Sequence, residues 1–150
     1  MKKPIIDTVK ELLFAQRLGI LATVNDDSPY TSIVGFAAEP DMKSIYFGTP
    51  RATLKLRNIQ SNPAVSLLID NRQNLGSDFS IAAALTCVGG AKILSGEETD
   101  RARDLLSERH PELRDFFASP TCALVKISIC KFSLVRNFQE VTEFFPGKDL

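Results

Sequence analysis

The chain has 150 residues, 18 Lys and Arg against 18 Asp and Glu, and 44% hydrophobic residues. That is enough for a single domain spanning 1–150 with its own core. A formal net charge of +0 offers no overall field to a polyanion, so nucleic acid is excluded as the main partner. No run of about 18 apolar residues is present to form a membrane-crossing helix, and no membrane partner is expected. Cys87, Cys122 and Cys130 fit neither a disulfide framework nor a C-x-x-C metal clamp, so the chemistry expected is that of a reducing cytoplasm with no metal site.

The amino terminus carries two lysines as a secretory leader would, but Asp7, Lys10 and Glu11 interrupt its apolar stretch, so an ordinary first helix is expected. Thr8-x-x-Glu11 has the form of a capping box, Val9, Leu12 and Leu13 supply an apolar side, and Gly19 is placed as the stop. The period then switches to two. Ile20, Ala22 and Val24 alternate with Leu21 and Thr23, a turn follows at Asn25 to Pro29, and a second strand runs from Tyr30 to about Ala38. After Glu39-Pro40-Asp41 a third strand alternates Ile45 and Phe47 with Ser44 and Tyr46, which makes an antiparallel meander.

The next stretch, from Thr49 to Ile59, predicts a helix with Thr49 as N-cap and Pro50 in the first helical position, ended by Asn62-Pro63. Ala64 to Asp70 returns to strand, and Asn71 to Asp78 predicts a loop. From Phe79 to Leu94 the apolar alternation predicts one long strand, or two joined at Gly89-Gly90, where a bulge or close backbone approach is expected. Ser95-x-x-Glu98 predicts a further helix start, with Ala102, Leu105 and Leu106 inward and a break at Pro111. The last strand keeps its apolar phase at Ala123, Val125, Ile127 and Ile129, then slips by one to Phe132 and Leu134, the mark of a bulge or corner. Six or seven strands with short antiparallel connections and no βαβ repeat disfavour a doubly wound fold and predict a small closed or partly split β-barrel with peripheral helices.

The segment Tyr46 to Pro63, YFGTPRATLKLRNIQSNP, concentrates the chemistry. A strand runs out at Gly48 into a helix start, where unpaired N–H groups and the helix dipole attract phosphate. Arg51, Lys55 and Asn58 fall at i, i+4 and i+7, on one predicted face, and the hydroxyls of Thr49 and Thr53 add donors. A capped surface helix with solvated basic residues accounts for the same pattern.

Taken with the order of elements, the strand Pro29-Tyr30-Thr31-Ser32-Ile33-Val34, the strand ending Tyr46-Phe47-Gly48-Thr49, the basic helix closed by Asn62-Pro63 and the strand Val65-Ser66-Leu67-Leu68 resemble the pyridoxamine 5'-phosphate oxidase-like family of FMN-binding split β-barrels. The resemblance runs from about Leu18 to Leu94. It implies a mainly β fold, an antiparallel Greek-key split β-barrel with peripheral α-helices. It also implies FMN as cofactor, with Thr53 and Lys55 on its phosphate and Arg51 nearby, Gly48 and Thr49 against the flavin or ribityl chain, and Ser32, Ile33 and Val34 beside the isoalloxazine edge through backbone groups. A homodimer with flavin in the groove between protomers is implied as well.

True pyridoxamine phosphate oxidases carry an arginine where Ser32 stands and, for the substrate phosphate, a lysine where Ala37 stands. Without these cations a phosphorylated substrate is poorly held, which argues against vitamin B6 oxidation. Arg109-His110-Pro111-Glu112 is similar to a segment of the haem-utilisation branch of the same superfamily, although a lone histidine near a helix end is more simply a structural residue. The carboxylates form no hydrolytic constellation. The function expected is an FMN-dependent oxidoreductase acting on an unidentified small molecule or electron donor. The alternative is a non-catalytic carrier of flavin, haem or deazaflavin on the same dimeric scaffold.

Overall fold

The computed structural model describes residues 3–149. Helix α1 (Ile5–Ala15) precedes a hairpin of β1 (Leu18–Asn25) and β2 (Ser28–Ala38), and β3 (Ser44–Pro50) completes the expected meander. The hairpin turns on Asp26 and Asp27 between the paired residues Asn25 and Ser28. Asp26 takes φ 53° there, a conformation Asp tolerates better than most side chains.

Helix α2 (Leu54–Ser61) carries the chain over to β4 (Ala64–Asp70), which pairs with β1 and not with β3. The resulting order β3-β2-β1-β4 is a Greek key, in which a fourth strand returns beside the first of three. A short helix α3 (Asp78–Ile81) leads to β5 (Ala84–Ile93). Helix α4 (Glu98–Arg109), a 3-10 turn (Pro111–Leu113) and α5 (Arg114–Ala118) then precede β6 (Cys122–Arg136) and β7 (Glu140–Phe144).

Strand β6 closes the barrel. One edge pairs with β5. The other pairs with β3 from Ser44↔Ser128 to Pro50↔Cys122, and further along with β7 from Phe132↔Phe144 to Arg136↔Glu140. Six antiparallel strands thus form a closed ring with β7 appended, the split-barrel architecture. The one-residue slip in β6 is real: Val88 pairs with Lys131 and Gly89 with Ile129, leaving Cys130 as the extra residue of a bulge. At Gly89 the backbones come so close that a Cβ would lie 2.1 Å from the Ser128 carbonyl oxygen, which only glycine accommodates.

Alternation divides each strand between two environments. Leu21, Phe36, Ile45, Phe47, Leu67, Ile69, Leu85, Ile127 and Phe132 fill the barrel and are fully buried. Val9, Leu12 and Leu13 of α1 and Leu56 and Ile59 of α2 join the same core. A second core lies outside the barrel, where Ala102 and Leu106 of α4 and Phe117 of α5 cover Ala37, Tyr46, Cys122 and Leu124. Elsewhere on the outward face, the cross-strand row Ile33↔Ile20↔Leu68↔Thr86↔Ser133 runs from an Ile33 that is 69% exposed to half-buried neighbours.

Several local expectations are corrected. Helix α1 begins after Pro4, so Thr8 lies inside it instead of capping it, and its buried hydroxyl accepts from Arg136 Nη1 at 3.3 Å. Gly19 belongs to β1, not to a helix end. Ser95 caps nothing, because α4 starts at Glu98 with Glu97 before it. Phe79 and Ile81 lie in α3, not in a strand. Strand β7 occupies a stretch that carried no strand expectation. Among the described residues no helix is long and apolar enough to cross a membrane.

Candidate functional site

Strands β2 and β3 pair only from Phe36↔Phe47 to Ala38↔Ile45. Before Phe36, β2 pairs among the described residues with β1 alone, because β3 continues along β6 instead. The Phe36 N–H is turned to the β1 side, where it donates to the Arg17 carbonyl at 3.3 Å. By alternation, the N–H and C=O groups of Thr31 and Ile33 face the opposite, unpaired edge. This is the split in the barrel. Val34 is buried at this edge while Ile33 projects outward. The hydroxyl oxygen of Ser32 is buried and has no hydrogen-bond partner among the described residues, a costly state for a polar atom.

The expected helix start moves by four residues. Pro50 stays in β3, paired with Cys122, and the N-cap of α2 is Thr53, whose Oγ1 accepts from the Leu56 N–H at 3.4 Å. Thr49 is 2% exposed and its hydroxyl sits 3.2 Å from that of Thr53, so the two hydroxyls do meet at the junction. Lys55 lies in the first turn of α2, partly buried, and makes no ion pair among the described residues. Arg51 lies ahead of the helix, fixed by its N–H to the Thr121 carbonyl (3.0 Å) and its Nε–H to the Pro120 carbonyl (2.9 Å).

Two residues sit differently from the sequence pattern. Asn58 is 2% exposed and donates through Nδ2 to Thr23 Oγ1 at 3.0 Å, so it ties α2 to β1 and does not extend a basic face. Gly48 lies under α5: a Cβ there would meet Phe117 Cδ1 at 2.9 Å. The structure therefore gathers Thr49, Thr53 and Lys55 at one junction, places Ser32, Ile33 and Val34 on the split edge, and turns the outward face of Gly48 to the helical layer. The open β2 edge escaped sequence reasoning because strand pairing between distant segments leaves no local signal. Ile33 also borders a cavity of about 180 Å³ shared with Leu18, Gly19 and Ile20.

A separate polar cluster with shifted ionisation involves α4. Arg101 donates twice to Glu39, from Nε at 3.0 Å and Nη2 at 2.8 Å, and Tyr46 Oη–H donates to the same carboxylate at 3.0 Å. The Arg101 hydrogen bonds hold the Glu39 carboxyl below its ordinary range. Burial pushes Tyr46 up to about 12, helped by Glu39. This is a clamp between α4 and the β2–β3 connection. The sole histidine, His110, is 2% exposed, with Nε2 on the Phe36 carbonyl at 2.8 Å. Among the described residues no three His, Cys, Asp or Glu side chains gather to hold a metal ion.

The sequence profile described as pyridoxamine 5'-phosphate oxidase matches residues 5–132. The chain belongs to this family. No curated protein matches it. Solved structures similar to this family member include a haem-binding protein from Mycobacterium smegmatis, at TM-score 0.82 and 16% identity, over 97% of this chain and 60% of that one. The haem storage protein HutZ from Vibrio cholerae matches at TM-score 0.74 and 19% identity, over 97% and 96% of the two chains. An FAD-binding protein from Mesorhizobium loti matches at TM-score 0.69 and 19% identity, over 88% and 94%. This chain thus spans about three fifths of the mycobacterial protein and nearly all of the other two. At these identities the likeness is one of fold.

Proposed function

We propose that this chain binds FMN at the junction of the split β2 edge with the first turn of α2, and works as an FMN-dependent oxidoreductase on an unidentified small molecule. The observation that carries the reading is the open edge itself, with unpaired backbone groups at Thr31 and Ile33 beside the orphaned Ser32 hydroxyl. A flavin ring edge supplies both donors and acceptors to such a strand, and its phosphate suits a helix start that bears a lysine without an ion-pair partner among the described residues. In this reading Thr53 and Lys55 hold the phosphate, with Thr49 behind Thr53 and Arg51 at the rim. Ser32, Ile33 and Val34 meet the ring, and Gly48 keeps β3 close under α5 so that Thr49 is correctly placed. Bound flavin supplies hydride and electron transfer. The protein residues bind it, orient it and exclude water.

The outward row through Ile33, Ile20 and Leu68, exposed at Ile33 and half-buried at the other two, supports a homodimer, since an exposed apolar sheet residue of this kind is often covered in an assembly. Of the carrier alternatives, haem is opposed by His110, whose Nε2 is already committed to a buried carbonyl. Axial ligation through that nitrogen would require α4 to detach from β2.

Absorbance of the purified protein and its thermal stability with added FMN test the reading. Flavin bands, or a rise in Tm with FMN, are expected. Anaerobic NADH or NADPH then separates enzyme from carrier: bleaching of the bound flavin marks an oxidoreductase, and an unreactive flavin marks a carrier or a different donor.

A further inference from the structure

The hairpin between β6 and β7 turns through Asn137 and Phe138, both in the left-handed region, with φ 52° and 68°. Asn adopts this conformation readily, whereas a bulky aromatic does so at a steric cost. Phe138 gains little burial in exchange, being 58% exposed. Its ring meets that of Phe79, itself 70% exposed, edge-on with centroids 5.8 Å apart and planes at 74°. The two rings border a cavity of about 210 Å³, whose other walls are Ala82, Ala83, Ala84 and Val135 and the acidic residues Asp70 and Asp78.

The charge in this cavity is unbalanced. Asp70 pairs with Arg72 Nε at 3.1 Å. The Asp78 carboxylate instead accepts backbone N–H bonds from Gln73, Asn74 and Leu75, at 2.7 to 3.1 Å, which keep it ionised. Arg72 is the cation acting on both carboxylates. At the base of the hairpin, Arg136 and Glu140 offset each other at 3.6 Å. Two carboxylates against one guanidinium leave a net negative wall, and the faces of the two phenyl rings add negative potential.

We propose that this cavity binds a planar, cationic heteroaromatic ring of the pyridinium type. The volume suits a single substituted ring. The paired phenyl groups supply edge and face contacts, and the excess carboxylate selects for positive charge. A neutral ring of the same shape keeps the aromatic contacts and loses the electrostatic part, while an anionic ring meets Asp78. The strained turn at Phe138 gains a purpose, since it presents an aromatic side chain at a hairpin tip where Gly or Asn would relieve the backbone.

The test uses the full chain and two probes that share one ring, 1-methylnicotinamide, a cation, and neutral nicotinamide, each titrated calorimetrically. The cation is expected to bind about tenfold more tightly than the neutral probe. Phe79→Ala and Phe138→Gly are each expected to weaken the cation about tenfold. Phe138→Gly should keep or raise Tm, because glycine takes this φ freely, so its loss of binding is not a loss of fold. Lys55→Ala should leave the cation's affinity unchanged, which keeps this site separate from the flavin reading. Equal affinity for the two probes, no saturable binding of the cation, or undiminished binding in Phe79→Ala and Phe138→Gly would each overturn the proposal.

Discussion

The imidazole of His110 donates from Nε2 to the carbonyl oxygen of Phe36 at 2.8 Å, with both residues buried. This bond joins the carboxyl end of α4 to β2 just where β2 loses β3 as a partner. It holds the helical layer against β2. His110→Phe keeps much of the volume but leaves the carbonyl unpaired, which costs about 1–3 kcal/mol. Urea unfolding should show a lower midpoint with an unchanged slope, and a midpoint equal to that of the parent would contradict this role.

Adjacent glycines in β5 are expected to respond oppositely. At Gly89 a methyl group would collide with the Ser128 carbonyl, which belongs to the strand backbone and cannot rotate away, whereas Gly90 has nothing within 4 Å of the same position. Gly89→Ala should therefore cost about 3 kcal/mol or more, through displaced strands. Gly90→Ala should lie within about 0.5 kcal/mol of the parent, as surface changes usually do. Chemical denaturation of the two variants side by side checks the contrast.

That bulge was legible in the sequence because two signals coincided, a glycine pair in β5 and a phase slip between Ile129 and Phe132 in β6. The meander and β4 were legible for the same reason, since their alternating side chains record which face is buried. Even so, the inward set in β1 is Gly19, Leu21 and Thr23, because alternation alone does not say which face is inside. The start of α2 lies later than its local pattern implies because Pro50 suits the first turn of a helix as well as the end of a strand, and the deciding fact is the pairing of Pro50 with Cys122. Of the candidate site, the threonines and Lys55 were visible as residue types. The open edge of β2 was not, since it arises from β3 leaving one neighbour for another about 80 residues away in sequence.

The Glu39–Tyr46–Arg101 clamp predicts losses of stability at both ends of the pH range. Glu39 has a folded pKa below its ordinary value, so its contribution is present at neutral pH and is lost as pH falls from about 4.5 through the folded value. Tyr46 has a folded pKa raised to about 12, so its contribution is complete below its ordinary value of 10.0 and disappears as pH rises from there to about 12. Urea midpoints against pH should fall in both windows. Arg101→Ala should flatten the acid limb and Tyr46→Phe the alkaline one. Limbs unchanged in these variants would place the sensitivity elsewhere.

The central claim is that the first turn of α2 holds a flavin phosphate, and titration of FMN into the parent and into Lys55→Ala tests it most directly. The account predicts saturable FMN binding by the parent, with flavin fluorescence quenched. It predicts a loss of about 1.5–3 kcal/mol in Lys55→Ala, the range of a charge-assisted hydrogen bond, and a smaller loss in Arg51→Ala, whose Nε–H already serves the Pro120 carbonyl. Absence of FMN binding by the parent, or equal affinity in Lys55→Ala, would contradict it.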